Sequence, residues 1–242
     1  LHLVGYPDQE VSVAHEALVH ARKVQHANTL SYTLYFGAMK LAYCQRDFEA
    51  AAKRTDNLAS LANEQGLALW KAGAKTYSGW VASHQKQFAE AIELGSASLK
   101  DMEATGTKLD RPLLMAHLTE SYANYGQNKE ALALINTALE IIDQTGERWT
   151  EAELIRLKAD QLVVLNKHGE AEKNYLASLV IARHQGAKSW ELRTSISLAT
   201  FWCDQGNRSK ALDLLAPIYD WFTEGFETVD LKAASKLLAE LR

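Results

Sequence analysis

The chain has 242 residues, of which 47% are hydrophobic, and this is enough apolar material for a buried core. Its 26 basic and 30 acidic residues give a formal net charge of −4, and the charges are dispersed along the sequence. Because binding to a phosphate backbone needs clustered positive charge, the composition disfavours direct nucleic-acid binding. No apolar run approaches the roughly 20 residues that a membrane-spanning helix needs, so we expect no membrane insertion.

The first residues and the cysteines indicate the context of the chain. The sequence opens on Leu1 rather than an initiator Met, and LHLVGYPDQE is typical of one helix ending and another beginning, without a secretory signal pattern. We therefore expect a piece of a longer protein. Cys44 and Cys203 lie far apart in apolar stretches. This favours buried free thiols over a disulfide or metal ligands, and a cytoplasmic location.

Glycine and alanine recur along the chain with a period of forty residues. The glycines are Gly66, Gly106, Gly146 and Gly186, and Gly225 follows thirty-nine residues later. The alanines are Ala51, Ala91, Ala131, Ala171 and Ala211. Glycine is typical of the residue just past a helix C-terminus, where the backbone turns left-handed. Between these positions apolar residues recur at three and four residues, which indicates helices.

The repeat predicts about twelve helices. A helix over about 8–25 comes first, five pairs of an A helix and a B helix follow, and a helix over about 228–241 comes last. Pro112 fits the first turn of a helix, and Pro217 should kink the helix that contains it. We interpret YDWFTEGFETVDL (219–231) as the start of a C-terminal cap over about 226–242, because a terminal repeat needs a lid on its outer face. The predicted fold is an all-α, right-handed solenoid of antiparallel helix pairs, one domain over 1–242.

The alanine column aligns the chain with the tetratricopeptide repeat. The positions that fall on the signature core of that family are Met115, Leu118, Thr119, Tyr122, Ala131, Ile135 and Ala138. The period exceeds the family's usual 34 residues, so we expect longer helices.

Two long stretches resemble a more specific family. TGERWTEAELIRLKADQLV and the segment from AKSWELRTS to KLLAEL look like the C-terminal tail of large bacterial signalling proteins. In that family an output domain, either an adenylate/guanylate cyclase or a winged-helix transcriptional regulator, precedes an ATPase module and then a helical repeat. The resemblance implies that this chain is the sensor or scaffold tail of such a protein and not itself an enzyme.

A search for catalytic or metal-binding patterns finds none that converges. The chain has no phosphate-binding loop, no GxSxG and no GxGxxG. His15 and His20 in HEALVH are five residues apart and diverge around a helix, unlike the four-residue spacing of zinc helices. Glu151 and Glu153 are two apart and do not converge, and Arg156 belongs to no visible cluster. We therefore predict no cofactor and no metal.

The resemblance to tetratricopeptide repeats implies that the A helices line a concave groove. The alanine register then predicts that five residues are exposed on one concave surface and bind a partner. They are Trp80, Glu120, Asn124, Arg156 and Asp160. An aromatic supplies contact area and charges select register in peptide recognition. The alternative is that these residues are only the solvated side of each A helix.

Three functions are compatible with these patterns. The first is an interaction scaffold or sensor that binds a protein, a peptide or a small effector in the groove and regulates the attached ATPase and output domains. The second is a passive structural or oligomerisation arm without its own ligand. The third is an enzyme on a helical-repeat scaffold. We favour the first, because the third lacks a converged set of residues, and we leave homo-oligomerisation open.

Overall fold

The computed structural model describes residues 1–242 and consists of helices, turns and short connections without a strand. We number twelve helices in chain order. Their bounds are Pro7–Val24 (α1), 27–45 (α2), Phe48–Glu64 (α3), Ala68–His84 (α4), Phe88–Ala104 (α5), Arg111–Asn124 (α6), Asn128–Thr145 (α7), Glu151–Val164 (α8), His168–His184 (α9), Lys188–Asp204 (α10), Arg208–Trp221 (α11) and Val229–Leu241 (α12). The A helices are α2, α4, α6, α8 and α10, and the B helices are α3, α5, α7, α9 and α11. This order confirms the predicted all-helical fold.

Helix α2 is composed of three consecutive segments. They are the α-helical Ala27–Tyr32, the π-helical Thr33–Met39 and the α-helical Lys40–Gln45. A π-helical turn places an extra residue in the turn and so changes the direction of the side chains that follow it. The sequence pattern did not predict this segment, which carries Tyr35 and Phe36.

The two repeating residue types have the roles that the sequence predicts. Gly146 ends α7 with a φ of +75°, and a Cβ there would meet no atom within 4 Å. The left-handed backbone, rather than lack of space, therefore requires this glycine. The five repeating alanines are each 0% exposed, and they allow close packing of the helix pairs. Pro112 lies in the first turn of α6, as predicted.

The contacts divide the chain into two compact units, which we describe separately. Unit 1 comprises residues 1–10 and 148–242, and unit 2 comprises residues 11–147. The expectation of one domain over 1–242 remains a prediction. No helix in the structure is long and apolar enough to cross a membrane.

Unit 1 has a core of aliphatic side chains and five buried aromatic rings, those of Tyr175, Trp190, Phe201, Trp202 and Phe222. Leu198, Trp202 and Leu215 lie at its centre. The apolar stripe predicted on α12 is buried against it, at Leu231, Ala234, Leu238 and Leu241. The first residues of the chain belong to this unit: the Ser189 hydroxyl donates a hydrogen bond of 2.6 Å to the His2 carbonyl, and the Gly225 amide donates one of 2.9 Å to the Asp8 carboxylate.

Unit 2 has a core rich in aromatic rings on its A helices. Tyr35, Tyr43 and Tyr77 are each at most 2% exposed. The rings of Tyr35 and Tyr77 meet edge to face with centroids 5.6 Å apart, a geometry that aromatic pairs prefer. The predicted site residues of this unit, Trp80, Glu120 and Asn124, lie on the same A helices or on the next one.

Candidate functional site

Trp80 and Glu120, two of the predicted site residues, form one contact in unit 2. The indole Nε1 of Trp80 donates a hydrogen bond of 3.2 Å to Oε2 of Glu120, forty residues later on the next A helix. The Tyr43 hydroxyl donates to Oε1 of the same carboxylate at 3.4 Å, and the Arg46 guanidinium lies 3.7 Å from it. Two hydrogen bonds and one ion pair therefore hold the Glu120 carboxylate, whose side chain is 13% exposed, so the predicted exposure of Glu120 is confirmed only in small part.

The predicted exposure of Trp80 is wrong, because this side chain is only 2% exposed. Its ring stacks on Phe48, the first residue of α3, with centroids 4.4 Å apart and an interplanar angle of 29°. The Tyr43 ring meets it edge to face at 5.1 Å. The ring packing of a B helix and a neighbouring A helix thus covers Trp80, and this three-dimensional contact was not visible in the sequence.

Asn124 is exposed, as predicted, and lies one turn beyond Glu120 on α6. Its side-chain Nδ2 donates a hydrogen bond of 3.1 Å to the Ser83 hydroxyl on α4. The exposed His84 follows Ser83 and stacks on Phe48 with centroids 3.5 Å apart. The ends of three A helices therefore present polar groups beside one another. We call Arg46, His84, Glu120 and Asn124 the Glu120 patch; they lie above the buried rings of Tyr43 and Trp80 and the half-buried ring of Phe48.

His117 lies beneath this patch and is 2% exposed. Its ring is 4.1 Å from the Tyr43 ring and 5.8 Å from the Trp80 ring, and neither ring nitrogen has a hydrogen-bond partner in the protein. Burial, and then the charge of Lys40, lower the pKa of His117 to about 3. His117 is therefore neutral at physiological pH and serves as part of the aromatic floor.

Arg156 and Asp160, the predicted site residues of unit 1, are joined by an ion pair. Arg156 Nη1 lies 2.5 Å from Asp160, and its Nε and Nη2 donate to Glu153 at 2.7 and 2.8 Å. The predicted exposure of Arg156 is wrong, because it is 5% exposed. Asp160 is one third exposed and also accepts a bond of 2.6 Å from the Tyr175 hydroxyl, whose pKa is raised by burial and by the Asp160 charge.

Further ion pairs connect this cluster to the next A helix and to the last helix. Arg193 on α10 donates to Glu153 at 3.2 Å and to Asp230 on α12 at 2.9 and 2.6 Å. Burial lowers the pKa of Arg193, but the charges of Asp230 and Glu153 outweigh this effect and raise it above its ordinary value. We call the series Asp160, Arg156, Glu153, Arg193 and Asp230 the charge ladder.

The expectation that Arg156 belongs to no cluster is therefore wrong. Its partners lie three residues before it and four residues after it on one helix, and Arg193 lies forty residues after Glu153. Spacings of three and four residues bring helical side chains together. Opposite charges at these spacings, combined with the forty-residue repeat, were the signal in the sequence that could have revealed the ladder.

The described residues offer no group of three or more His, Cys, Asp or Glu side chains placed to hold a metal ion. The two cysteines are free thiols, with Cys44 buried and Cys203 half-buried. The polar groups of both units are instead arranged as hydrogen-bonded and ion-paired contacts between helices. Such an arrangement fixes side-chain orientation on the A-helix surface and suits recognition of another molecule.

Comparison with known proteins shows the fold of the chain. No protein-family model and no curated protein matches the sequence. The structure of NprR in complex with its cognate peptide NprX is similar, with a TM-score of 0.70 and 18% identity over 97% of this chain and 66% of that chain. A Rap protein complexed with Competence and Sporulation Factor gives a TM-score of 0.68 and 18% identity over 88% of this chain and 57% of that one.

A third similar structure comes from Podosopora anserina. It is a putative kinesin light chain with nearly identical TPR-like repeats, with a TM-score of 0.53 and 19% identity over 69% of this chain and 83% of that chain. The chain spans less than two thirds of the length of the NprR and Rap chains in the two complexes. These similarities show an all-helical, tetratricopeptide-like repeat fold.

Proposed function

We propose that this chain is a non-catalytic interaction module that binds an extended peptide or protein segment at the Glu120 patch and regulates domains attached to it. One observation carries the proposal. A partly exposed carboxylate, held by two hydrogen bonds and an ion pair, lies among exposed polar groups and above a floor of buried rings. Protein-binding hot spots combine such an apolar floor with a polar rim.

The groups of the patch suit recognition of a peptide main chain. An Asn side chain offers both donors and an acceptor, and Asn124 uses one donor on Ser83, which fixes its orientation. The Glu120 carboxylate accepts N–H groups, and its two hydrogen bonds and its ion pair hold it in place. Because these side chains are already ordered, binding would cost little additional side-chain entropy.

Asp160 and Arg156 have a separate proposed role in unit 1. Asp160 is the member of this pair that solvent reaches, and we assign it a contact with the partner. Buried Arg156 acts as a positioning residue, because its ion pair with Asp160 orients that carboxylate. The idea that these residues and the Glu120 patch form one binding surface remains a prediction.

The similar structures support a peptide as the partner. NprR is described as a quorum sensor and was solved with its cognate peptide NprX. The resemblance to bacterial signalling tails supplies the regulatory context, in which an ATPase module and a cyclase or winged-helix output domain precede the repeat. A protein partner or a small effector would use the same polar rim.

A selection from random peptides tests the proposal. The purified chain is panned against a phage-displayed library of random linear peptides, and selected peptides are titrated by calorimetry. We expect binding to fall at least tenfold, which is about 1.4 kcal/mol, in Glu120→Gln and Asn124→Ala. The melting temperatures should stay near that of the original chain, because Asn124 is exposed and glutamine keeps the size of Glu120 and one oxygen acceptor.

A matched control is Asn57→Ala on α3, where the side chain is exposed and outside the patch. This variant should bind the selected peptides normally. If no peptide is selected, or if the two patch variants bind as well as the control, the passive arm replaces the interaction module as the better account.

A further inference from the structure

A second site in unit 2 lies at the π-helical segment of α2, away from the residues of the Glu120 patch. It is a pocket of about 210 Å3 whose walls include the rings of Tyr32, Tyr35, Phe36 and Trp70, with Asp110 at its edge. Its volume is below the 300–1,000 Å3 of typical drug-sized sites, so it suits one chemical group or side chain. We call it the Trp70 pocket.

The Trp70 ring stands at right angles to two of the other rings that line the pocket. The Trp70 ring makes angles of 89° with Tyr32 and 88° with Phe36, at centroid distances of 6.2 and 6.3 Å. Trp70 is 7% exposed, whereas Tyr32 is 57% exposed. The π-helical geometry of Thr33–Met39 sets the direction of the α2 rings, and π turns are frequent at functional sites.

The residues that lie 120 positions after Trp70 and Asp110 belong to unit 1, and there they bind a side chain of the protein itself. Trp190 lies 120 residues after Trp70, and Asp230 lies 120 residues after Asp110, one residue out of step with the repeating glycines. Between them lies the guanidinium of Arg193, with its Cζ 4.8 Å from the Trp190 ring centroid and its nitrogens 2.9 and 2.6 Å from the Asp230 carboxylate. The tryptophan and the aspartate of unit 1 thus enclose a cation that the chain itself supplies.

Unit 2 keeps the tryptophan and the aspartate but lacks the arginine. The residue that corresponds to Arg193 is Gly73. A Cβ at Gly73 would lie 2.7 Å from the Tyr35 ring, so this ring stands where the arginine side chain would begin. Glycine inside a helix costs roughly 0.5–1 kcal/mol relative to alanine. Gly73 therefore destabilises α4 slightly, but it leaves room for the Tyr35 ring, which lines the pocket.

Asp110 retains an acceptor that no group in the protein uses. It is 2% exposed, and its Oδ1 lies 2.9 Å from the Lys40 ammonium, whereas its Oδ2 is buried without a hydrogen-bond partner. The buried Tyr35 hydroxyl likewise has no partner. Burial, and then the charges of Asp110 and Glu147, raise the pKa of Tyr35. Two lining residues of the pocket therefore carry buried polar atoms that the protein does not use, and Lys40 pairs with the other oxygen of Asp110.

We infer that the Trp70 pocket binds a guanidinium group from outside the chain, in the place that Arg193 fills in unit 1. The planar group would stack on the Trp70 ring and donate to Asp110 Oδ2, as Arg193 does with Trp190 and Asp230. Guanidinium combines a flat face for stacking with several N–H donors in one plane, whereas an ammonium lacks the flat face. The source is either an arginine of a bound peptide or a free arginine derivative.

Calorimetry with three small probes tests this inference on the full chain. The probes are N-acetyl arginine methylamide, the lysine compound, and the citrulline compound, which keeps the shape of arginine without its charge. We expect the arginine probe to bind and the citrulline probe to bind at least tenfold more weakly, with lysine between them. Binding should also shift the Trp70 indole N–H resonance, which a Trp70→Phe variant assigns.

Three variants localise the binding. Asp110→Asn should weaken the arginine probe at least tenfold, and Tyr32→Ala several-fold. Tyr125→Ala, which removes another half-exposed tyrosine of unit 2, should have no effect. The double variant Gly73→Arg with Tyr35→Ile copies the residues of unit 1 at both positions. Its own arginine should fill the site and abolish binding, and this variant keeps the test valid if Asp110→Asn does not fold.

The outcomes separate the source of the group and the two proposals. Asp110-dependent binding of the free probe supports a small molecule, and Asp110-dependent binding of arginine only within peptides supports a peptide. Equal binding of arginine and citrulline, or no binding of arginine in either form, overturns the inference. If arginine binds in neither form while the selected peptides still depend on Glu120 and Asn124, the inference fails and the proposed function stands.

Discussion

The A helices of the two units bury polar residues in different ways. In unit 1, Glu153, Arg156 and Arg193 are each at most 5% exposed and pair with one another and with Asp230. In unit 2, the residues that precede these three by 40 or 120 positions are Leu113, Ala116 and Gly73, which carry no charge, and the buried hydroxyls of Tyr35 and Tyr77 have no hydrogen-bond partner. The forty-residue repeat therefore sets which positions of a helix face inward, but each repeat has its own chemistry there.

This difference bears on function. A buried ion pair resists disturbance, because removal of one partner leaves an uncompensated charge. Unit 1 pairs its buried charges with one another and leaves Asp160 one third exposed at the end of the ladder. Unit 2 has partly exposed polar groups above aromatic rings and a pocket lined by four rings, and both proposals for a ligand in unit 2 rest on these features. The following predictions test this contrast, beginning with the largest expected effect.

Removal of the last helix should destabilise unit 1 most. Deletion of 226–242 exposes the surface that Leu231, Ala234, Leu238 and Leu241 cover and removes Asp230 from the charge ladder. At about 25 cal/mol per Å2, exposure of several hundred Å2 of apolar surface costs several kcal/mol. Urea denaturation and size-exclusion chromatography should show a less stable, self-associating chain, whereas Lys232→Ala with Lys236→Ala should change neither. An unchanged melting temperature and a monomeric truncated chain would show that α12 is not a cap.

The charge ladder should be the next most sensitive feature. Arg193→Ala leaves the buried Glu153 and the half-buried Asp230 without their shared partner, and we expect a loss of about 3–5 kcal/mol in the free energy of unfolding. The control is Arg183→Ala, which breaks an ion pair of 2.7 Å with Glu191 from a side chain that is 54% exposed. Solvent screens this pair, so the control should lose at most about 1 kcal/mol. Equal losses in the two variants would refute a structural role for the ladder.

A pH titration should distinguish the aromatic floor of unit 2. The pKa of His117 is about 3 in the folded chain and 6.5 in an unfolded reference. The unfolded state therefore takes up a proton first, and stability that is present above pH 6.5 is lost as the pH falls towards 3. One proton gives a slope of at most about 1.4 kcal/mol per pH unit. Urea denaturation across this range should show a smaller slope in His117→Leu, and an unchanged slope would mean that His117 is protonated when folded.

The smallest effect should come from the polar atom of Trp80. Trp80→Phe keeps most of the ring packing but removes the hydrogen bond to Glu120, which should cost about 1 kcal/mol. Trp80→Ala should cost about 3–5 kcal/mol, because it leaves a cavity under the patch. If Trp80→Ala changes the free energy of unfolding no more than Trp80→Phe does, the side chain is not part of the buried floor.

Much of the fold could be predicted from the sequence, because the residues that end helices and allow helices to pack closely recur in every repeat. Gly146 and Ala131 have counterparts in the other repeats, so the helix ends and the close contacts between helices follow from the residue pattern alone. The π-helical turn at 33–39 could not be predicted in this way, since it occurs once and no repeating residue marks it. Its position follows from the packing of Tyr35 against Gly73, which is a tertiary contact.

The candidate site was predicted less well, for a physical reason. The repeat register gives the direction of a side chain on its own helix, but exposure depends on what the neighbouring helices place above it. Trp80 is covered by Phe48 and Tyr43, and Arg156 by its ion pairs. Asn124 and Asp160 extend past these contacts and stay accessible. Spacings of three and four residues give Arg156 an acidic partner on each side, which indicates burial among ion pairs, whereas Asp160 lies at the end of the series.

Amide hydrogen exchange with a selected peptide tests the central claim most directly. The chain is measured alone and with a peptide from the library selection, and the protected segments are located by proteolysis and mass spectrometry. Our account predicts slower exchange at the C-terminal ends of α2, α4 and α6, around Arg46, His84 and Asn124, and no such protection in Glu120→Gln. Protection confined to the B helices, or equal protection in the variant, would contradict the assignment of the Glu120 patch as the binding site.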